Sequence, residues 1–360
     1  MTAIEKVRFF LKENRLDGIL IRKRNNFSWL TNGCTNHIAQ SQQEGVCDLF
    51  ITKDAVYAIT LKMEERRIVE EELAHAPFET TVLVEEWFNG SDHLIEKLGE
   101  GKVVATDTPF MNWEVVDHKL SYIRSQLTDV EISRYRSLCL DASISVEETC
   151  KEIYPSQTEF EIASILSSKV ISKGATVQVA LIATDERIYK YRHPIPTSKK
   201  LNKQAMVVLC AERGGLVANV TRIVHFGQLT EELQKNKKCL ANIDVKMNTS
   251  TMAGTRVGDV VKAAIEQYAS EGFPNDWKLL HQGGPTGYNA REYLANMHSD
   301  EIIRTNQVFA WNPALPGVKS EDTILVKEDG VEFLTHTGGW VYLDVPQEDK
   351  VLKRPDILLR

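Results

Sequence analysis

The feature that most constrains the fold is a pair of apolar strand patterns on either side of Gly214-Gly215. Residues 205–212 and 216–224 are dominated by valine, leucine and alanine, and a double glycine between two such runs is typical of a β-hairpin turn. Helical patterns flank this hairpin at residues 159–173, 231–249 and 257–270. A hairpin between helices, followed by further strand and loop, predicts an α+β domain in which helices cover one side of a sheet.

The first part of the chain has a different arrangement. Apolar residues at helical spacing over residues 4–14 are followed by a short buried strand pattern at 16–21. Further strand or helix patterns lie at residues 49–51, 55–59, 62–74 and 103–105. This mixture predicts an α/β domain. We therefore expect an α/β domain over residues 1–127 and an α+β domain over residues 128–360.

The composition narrows the class of protein. A chain of 360 residues, of which 42% are hydrophobic and 26% charged, is a soluble globular protein with room for two cores. Its longest apolar run, residues 205–211, is far shorter than the roughly 20 residues of a membrane helix, and the N-terminus lacks a signal pattern. We expect a cytoplasmic protein without a membrane partner. A net charge of −7 argues against a nucleic-acid partner, because phosphate backbones need a basic surface.

The cysteine spacing and one glycine-rich segment argue against disulfides, a zinc site and a bound nucleotide. The six cysteines show no C-x-x-C spacing, which predicts free thiols rather than disulfides or a zinc site. The segment G-G-P-T-G at residues 283–287 matches neither the dinucleotide-binding fingerprint nor the phosphate loop, so we predict no nucleotide. Glycines here favour close approach of the backbone to a small-molecule substrate, with Tyr288 as a lid or wall and His281 as a titratable group.

Several short segments, each weak alone, together identify a protein family by their order and spacing. They are Leu16-Asp-Gly-Ile-Leu-Ile with residues 25–33, Arg192-His193-Pro194, Gly215…Asn219-x-Thr221-Arg222, Gly283…Gly287…Glu292 and Gly317-Val-Lys-Ser-Glu321-Asp322-Thr323. Together they resemble the family of aminopeptidase P, prolidase and creatinase over nearly the whole chain. The resemblance implies a creatinase-type α/β N-terminal domain and an α+β C-terminal domain with the pita-bread fold.

The same resemblance identifies the positions at which this family binds two metal ions. The five ligand positions fall on Val208, Asn219, Gly284 (or Pro285 if the alignment shifts by one residue), Asn312 and Glu321. Only the last keeps a carboxylate. One carboxylate cannot hold two divalent ions, so we predict no catalytic metal and no other cofactor.

His193 is the retained candidate for acid and base catalysis. It matches the family's histidine that faces the substrate and shuttles protons, whereas a histidine on its own is more often a satisfied surface or core residue. Creatinase, which this chain resembles, works without metal. That resemblance implies that His193 takes a proton from water and returns it to a leaving nitrogen, while Glu321 orients the exchange. Creatinase carries a glutamate in the region of Asn219, so its paired carboxylates are not reproduced here.

The remaining candidates are substrate contacts. Asn219 and Asn312 offer neutral hydrogen bonds in the space that metal ions would fill. The arginines that can bind a substrate carboxylate through two parallel hydrogen bonds are Arg192, Arg222 and Arg291. For Arg222, a structural ion pair is an equal alternative. Glu292 is either a catalytic substrate contact or a structural hydrogen-bond partner.

Three functions follow from these patterns. The first is a metal-independent hydrolase or lyase that cleaves a C–N bond of a small nitrogenous metabolite, as the resemblance to creatinase and ectoine hydrolase implies. The second is a catalytically inactive pseudopeptidase with a binding role. The third is a residual Xaa-Pro metallopeptidase. The resemblance also implies a homodimer, in which the N-terminal domain of one subunit can reach the active site of the other.

Overall fold

The computed structural model describes residues 1–347 and 350–360, and the chain divides into two compact units. One unit comprises Met1–Thr128 with Gly214–Leu216, and the other comprises Asp129–Arg213 with Val217–Arg360. All of the predicted site residues belong to the second unit. None of the helices in the described ranges combines the length and the apolar composition needed to cross a bilayer.

The core of the first unit is a mixed sheet with the strand order β4-β3-β2-β1-β5-β6. Its elements are α1 (Ala3–Glu13), β1 (Gly18–Lys23), α2 (Arg24–Leu30), β2 (Glu44–Thr52), β3 (Val56–Leu61), α3 (Lys62–Arg67), β4 (Thr81–Glu85), α4 (Asp92–Gly99), β5 (Val104–Thr106), β6 (Glu114–Val115) and α5 (Asp117–Arg124). Strands β1, β2 and β3 pair antiparallel, while β4, β5 and β6 add in parallel. Leu20, Phe50 and Ile59 of the sheet pack with Ile95 of α4. The predicted α/β class is confirmed.

Of two helical segments in this unit, the first agrees with the prediction and the second differs from it. Helix α1 begins as expected, because Thr2 and Glu5 form a capping box and the apolar face is buried. The predicted single helix over residues 62–74 is instead α3 followed by a π-helical turn, Ile68–Glu72, and a short 3-10 turn. Glu72 in the π-helical turn accepts hydrogen bonds from the backbone of Thr35 and from Arg67. Such tertiary contacts cannot be predicted from the periodicity of apolar residues in the sequence.

The second unit contains the predicted hairpin and long helices. Its elements are α6 (Asp129–Glu152), α7 (Glu159–Ser172), β7 (Thr176–Thr184), α8 (Glu186–Lys190), β8 (Gln204–Arg213), β9 (Leu216–His225), α9 (Glu231–Ser250), α10 (Val257–Ser270), β10 (Gly283–Thr286), β11 (Val308–Trp311), β12 (Ala314–Leu315), β13 (Val318–Lys319), β14 (Asp322–Lys327), β15 (Gly330–Phe333), β16 (Tyr342–Gln347), β17 (Lys350–Pro355) and β18 (Leu358–Leu359). Gly214 and Gly215 both have positive φ angles, 56° and 80°, as a tight hairpin turn requires.

Two four-stranded sheets meet in this unit. Their strand orders are β18-β9-β8-β7 and β10-β11-β14-β15. Thr221 of β9 pairs with Glu321 in an isolated antiparallel bridge, and Asn219 and Thr323 exchange hydrogen bonds nearby. Helices α9 and α10 contribute Leu240 and Val260 to the same apolar cluster as the strands. The predicted α+β class is confirmed.

A buried ion network lies immediately beside this junction. Asp322 of β14 is 3.0 Å from Arg222 Nη1 and 2.5 Å from Arg354 Nη2, and Arg354 Nε also donates to Asp244 of α9 at 2.6 Å. All four side chains are buried. Burial opposes ionisation of Asp322, but Arg222 and Arg354 outweigh it and hold the pKa of this carboxyl well below its usual range. Arg222 therefore forms a structural ion pair, the alternative to a substrate contact.

Loss of Arg354 should destabilise the protein strongly. We expect Arg354→Met to lower the free energy of unfolding by about 3–5 kcal/mol, because it leaves Asp244 and Asp322 buried with too little positive charge. Lys353→Met removes the same charge from an exposed neighbour in β17 and should change stability by less than about 0.5 kcal/mol. Urea denaturation of both variants measures the difference, and equal losses would contradict the role given to this network.

Candidate active site

A cavity of about 480 Å³ in the second unit brings together several predicted site residues. Those that line it are His193, His281, Arg291, Asn312 and Glu321. Another part of the wall is apolar and includes Leu181, Ile195 and Val208. Val208 of β8, which stands at a metal-ligand position of the resembled family, is thus part of an apolar surface.

The carboxylate of Glu321 is the most densely bonded group of the cavity wall. Arg291 Nη2 donates to its Oε1 at 2.7 Å, and Lys319 Nζ donates to its Oε2 at 2.8 Å. The hydroxyl of Thr221 donates to Oε2 at 2.9 Å. Burial alone would raise the pKa of Glu321, but Lys319 and Arg291 outweigh it and bring the pKa to about 2. Glu321 is therefore ionised at neutral pH, and the three charges sum to one positive charge.

The residues at this site do not fit a pair of divalent metal ions. Glu321 already binds two protein cations, which would repel a metal ion approaching its oxygens. A side chain at Gly284, one of the two positions that can correspond to the family's histidine ligand, would place its Cβ 2.7 Å from the carbonyl oxygen of Tyr293, so that position has no room for one. Among residues 1–347 and 350–360, no cluster of three or more His, Cys, Asp or Glu side chains is arranged to hold a metal.

Two histidines lie side by side at the cavity. The ring centroids of His193 and His281 are 5.7 Å apart, with planes inclined by 37°. Partial burial, and next Lys319, lower the pKa of His193 below its usual value. Burial, and next Arg291, lower the pKa of His281 to about 4. Both imidazoles are mainly neutral at pH 7, and a neutral imidazole can accept a proton.

Some polar atoms of the cavity wall are buried without a partner. Within the described residues, His281 Nδ1, Arg291 Nε and Asn312 Oδ1 make no hydrogen bond. A buried polar atom left unpaired costs about 1–3 kcal/mol. The three atoms belong to side chains that line the same cavity.

Asn219 has a role different from the predicted substrate contact. It is fully buried, and its Oδ1 accepts a hydrogen bond from Arg291 Nη1 at 2.9 Å. Its Nδ2 donates to the hydroxyl of Thr286 at 3.0 Å. Because both ends of the amide are used by the protein, Asn219 orients Arg291 toward Glu321.

Three further predicted residues are not among the described residues that line the cavity. The carboxylate of Glu292 accepts hydrogen bonds from the backbone of Tyr288 and the side chain of Asn289, so it stabilises a local turn. Tyr288 is only 2% exposed, and its hydroxyl donates to Glu131 at 2.8 Å. It therefore does not form the predicted lid or wall, because such a residue must reach the cavity. Arg192 directly precedes His193 in the chain but does not reach the wall.

Lys319 is the main site residue that the sequence reasoning missed. It is 8% exposed, lines the cavity and binds Glu321. The sequence contains one signal for this role, the two-residue spacing of Lys319 and Glu321. In an extended chain, alternate side chains lie on the same face. Without its tertiary surroundings, however, a lysine beside a glutamate is indistinguishable from a surface ion pair.

The low pKa of His281 can be measured directly. NMR titration of the imidazole should give a midpoint near 4, and Arg291→Gln should raise it by removing a nearby positive charge. Because this pKa is below its usual 6.5, the contribution of His281 to stability is present above about pH 6.5 and lost as the pH falls toward 4. Arg136→Gln, which removes an exposed partner of Glu332, is the control. A wild-type midpoint near 6.5 would contradict the described surroundings of this ring.

The crowding at Gly284 can be separated from its backbone conformation. Gly284 and Gly330 have similar φ angles, 151° and 147°, but a Cβ would meet backbone atoms at Gly284 and open space at Gly330. We expect Gly284→Ala to lower the free energy of unfolding by about 1–3 kcal/mol more than Gly330→Ala. Urea denaturation of both variants tests this, and equal losses would show that the space at Gly284 is not limiting.

Comparison with known proteins identifies the family of this chain. Residues 134–328, more than half of the chain, match metallopeptidase family M24, and residues 4–137 match the creatinase/prolidase N-terminal domain. An uncharacterised peptidase of Staphylococcus haemolyticus is 23% identical over 283 residues, which are 66% of this chain and 80% of that protein.

Solved structures share the fold at low sequence identity. The prolidase of Pyrococcus horikoshii is 19% identical with a TM-score of 0.79, and the match covers 93% of this chain and 98% of the prolidase chain. The X-Pro aminopeptidase of Thermotoga maritima is 18% identical with a TM-score of 0.79, and both chains are covered completely, at 100%. These matches confirm the resemblance carried by the short segments. The chain belongs to metallopeptidase family M24 and has the two-domain, pita-bread architecture of that family.

Proposed function

We propose that this protein is a metal-independent hydrolase that cleaves a C–N bond of a small, carboxylate-bearing nitrogenous metabolite. The observation that carries the proposal is the bonding of Glu321, the one ligand carboxylate retained from the family, to Arg291 and Lys319. Arg291 and Lys319 bind the one carboxylate at a metal-ligand position of the resembled family, which supports a site whose positive charge comes from the protein.

The cationic pair supports both binding and stabilisation of developing charge. Fixed donors aimed into a site that excludes water stabilise an oxyanion more strongly than the same donors in water. Arg291 and Lys319 are largely buried and line the cavity, and Asn219 holds the guanidinium of Arg291 in place. No step of the proposed reaction uses a metal.

In the proposed reaction His193 acts first as a base and then as an acid. Its neutral ring takes a proton from a water molecule, and the water oxygen bonds to the acyl carbon of the substrate's C–N bond while the C=O electron pair moves to oxygen, forming the oxyanion. The double bond then re-forms, and the electron pair of the C–N bond moves to nitrogen as that bond breaks. His193 then returns the proton to the leaving nitrogen, so the protein ends in its starting state.

Water is the better nucleophile than any thiol at this site. Cys210 lines the cavity, but burial raises its pKa to about 12, and the thiol therefore stays protonated at neutral pH. Only the thiolate is strongly nucleophilic. The hydroxyl of Thr221 donates to Glu321, whose pKa of about 2 makes that carboxylate too weak a base to activate it. A direct attack by water is the simplest reaction that these groups support.

Loss of His193 should abolish turnover. We expect His193→Ala to lower kcat/KM by at least about 100-fold on whichever guanidino, amidine or N-acyl amino acid the wild-type protein hydrolyses. Activity should rise with pH along one ionisation below the usual histidine range and then stay level, because the base must be neutral. Product release is followed by mass spectrometry, and His298→Ala, an exposed histidine outside the cavity, is the control.

Other outcomes of the same assay favour the alternative functions. Release of proline from an Xaa-Pro dipeptide that stops with a chelator would favour the residual metallopeptidase. Binding of panel compounds without any turnover would favour a pseudopeptidase with a binding role. The homodimer and the cytoplasmic location expected from the sequence stay predictions.

A further inference from the structure

Two unlike polar features share the cavity. The first is the cationic pair of Arg291 and Lys319, which keeps unused donors: Arg291 Nε makes no hydrogen bond within the described chain, and Lys319 Nζ has three hydrogens but donates only to Glu321 there. Buried cations with free hydrogens attract a carboxylate, since charge-assisted hydrogen bonds are stronger than neutral ones.

The second feature is the amide of Asn312. The residue is 2% exposed and lines the cavity, yet its side-chain oxygen is buried and makes no hydrogen bond with any residue in the described part of the chain. A Cβ at Gly283 would lie 3.0 Å from this buried oxygen and crowd it, so the glycine leaves space beside it. The backbone of Asn312 is held by Gln282, which keeps the amide in place.

We infer that Asn312 and the cationic pair together select a small molecule with a free carboxylate and an N–H next to a carbonyl group, as in an N-acyl or N-carbamoyl amino acid. The carboxylate binds Arg291 and Lys319, and the N–H donates to Asn312. This inference rests on the proposed function in that it takes the cavity as the substrate site. It makes Asn312 a specificity-determining residue.

The consequence is discrimination against amides without an N–H. The bond before proline has no hydrogen on nitrogen, so such a substrate leaves the Asn312 oxygen unpaired and buried. A site built to accept a hydrogen bond rejects a ligand that cannot donate one far more strongly than it rejects a change of apolar size. The site is thereby directed away from Xaa-Pro bonds.

Calorimetry on the full-length protein tests the inference with matched ligands. N-acetylglycine and N-carbamoylglycine have both groups, N-acetylsarcosine replaces the N–H with an N-methyl group, and N-acetylglycinamide lacks the carboxylate. We expect the first two to bind at least about tenfold more tightly than the other two. Failure of both to bind at concentrations up to about 10 mM, or equal binding of N-acetylglycine and N-acetylsarcosine, would overturn the inference.

A variant separates hydrogen bonding from ligand size. In Asn312→Leu the preference for N-acetylglycine over N-acetylsarcosine should fall to about twofold or less, while the carboxylate is still required. Retention of the full preference would assign it to another residue and overturn the role of Asn312. Lys353→Met, on an exposed strand face, should leave all affinities unchanged.

Binding in a variant without the proposed base distinguishes this inference from the proposed function. His193→Ala should bind the same ligands with the same preferences and turn over none of them. Selective binding in a wild-type protein that hydrolyses nothing would refute the hydrolase while leaving the specificity of Asn312 in place. Turnover without the N–H preference would refute the specificity alone.

Discussion

The charge balance at Glu321 is the interaction on which the rest of the site depends. Its carboxylate holds a guanidinium and an ammonium within hydrogen-bond distance and also accepts from Thr221 of the neighbouring sheet. Removing the carboxylate would leave two largely buried cations without an opposite charge and cost about 3–5 kcal/mol, so the positions of Arg291 and Lys319 depend on Glu321. Partial burial, and next Lys319, lower the pKa of His193, while Glu321 acts in the opposite direction.

Two consecutive residues, Glu321 and Asp322, have different surroundings. Glu321 turns toward the cavity, whereas Asp322 joins the buried network of Arg222 and Arg354. Adjacent side chains of an extended chain lie on opposite faces, so one dipeptide can serve both purposes. The carboxylate at the cavity is thus followed directly by the residue that anchors the start of β14.

The positions that differ from the metal-binding pattern form one consistent arrangement. Val208 belongs to an apolar wall, Asn219 orients Arg291, and Gly284 lets the backbone of Tyr293 come close. The side-chain oxygen of Asn312 makes no hydrogen bond within the described residues. Among these positions, Asn219 is the one with a recorded hydrogen bond to the cationic pair, since it holds Arg291 beside Glu321.

The sequence by itself determined the family, the two fold classes, the hairpin and five of the residues that line the cavity. These depend on local order, spacing and periodicity, which survive in a linear pattern. Only the tertiary structure decided which polar groups meet. Arg291 joins Asn219 across 72 positions of the chain, and Tyr288 joins Glu131 across 157, which removes Asn219 and Tyr288 from the cavity wall. Lys319 became a site residue because folding buried it against Glu321, and burial is a property of the packed chain rather than of any segment.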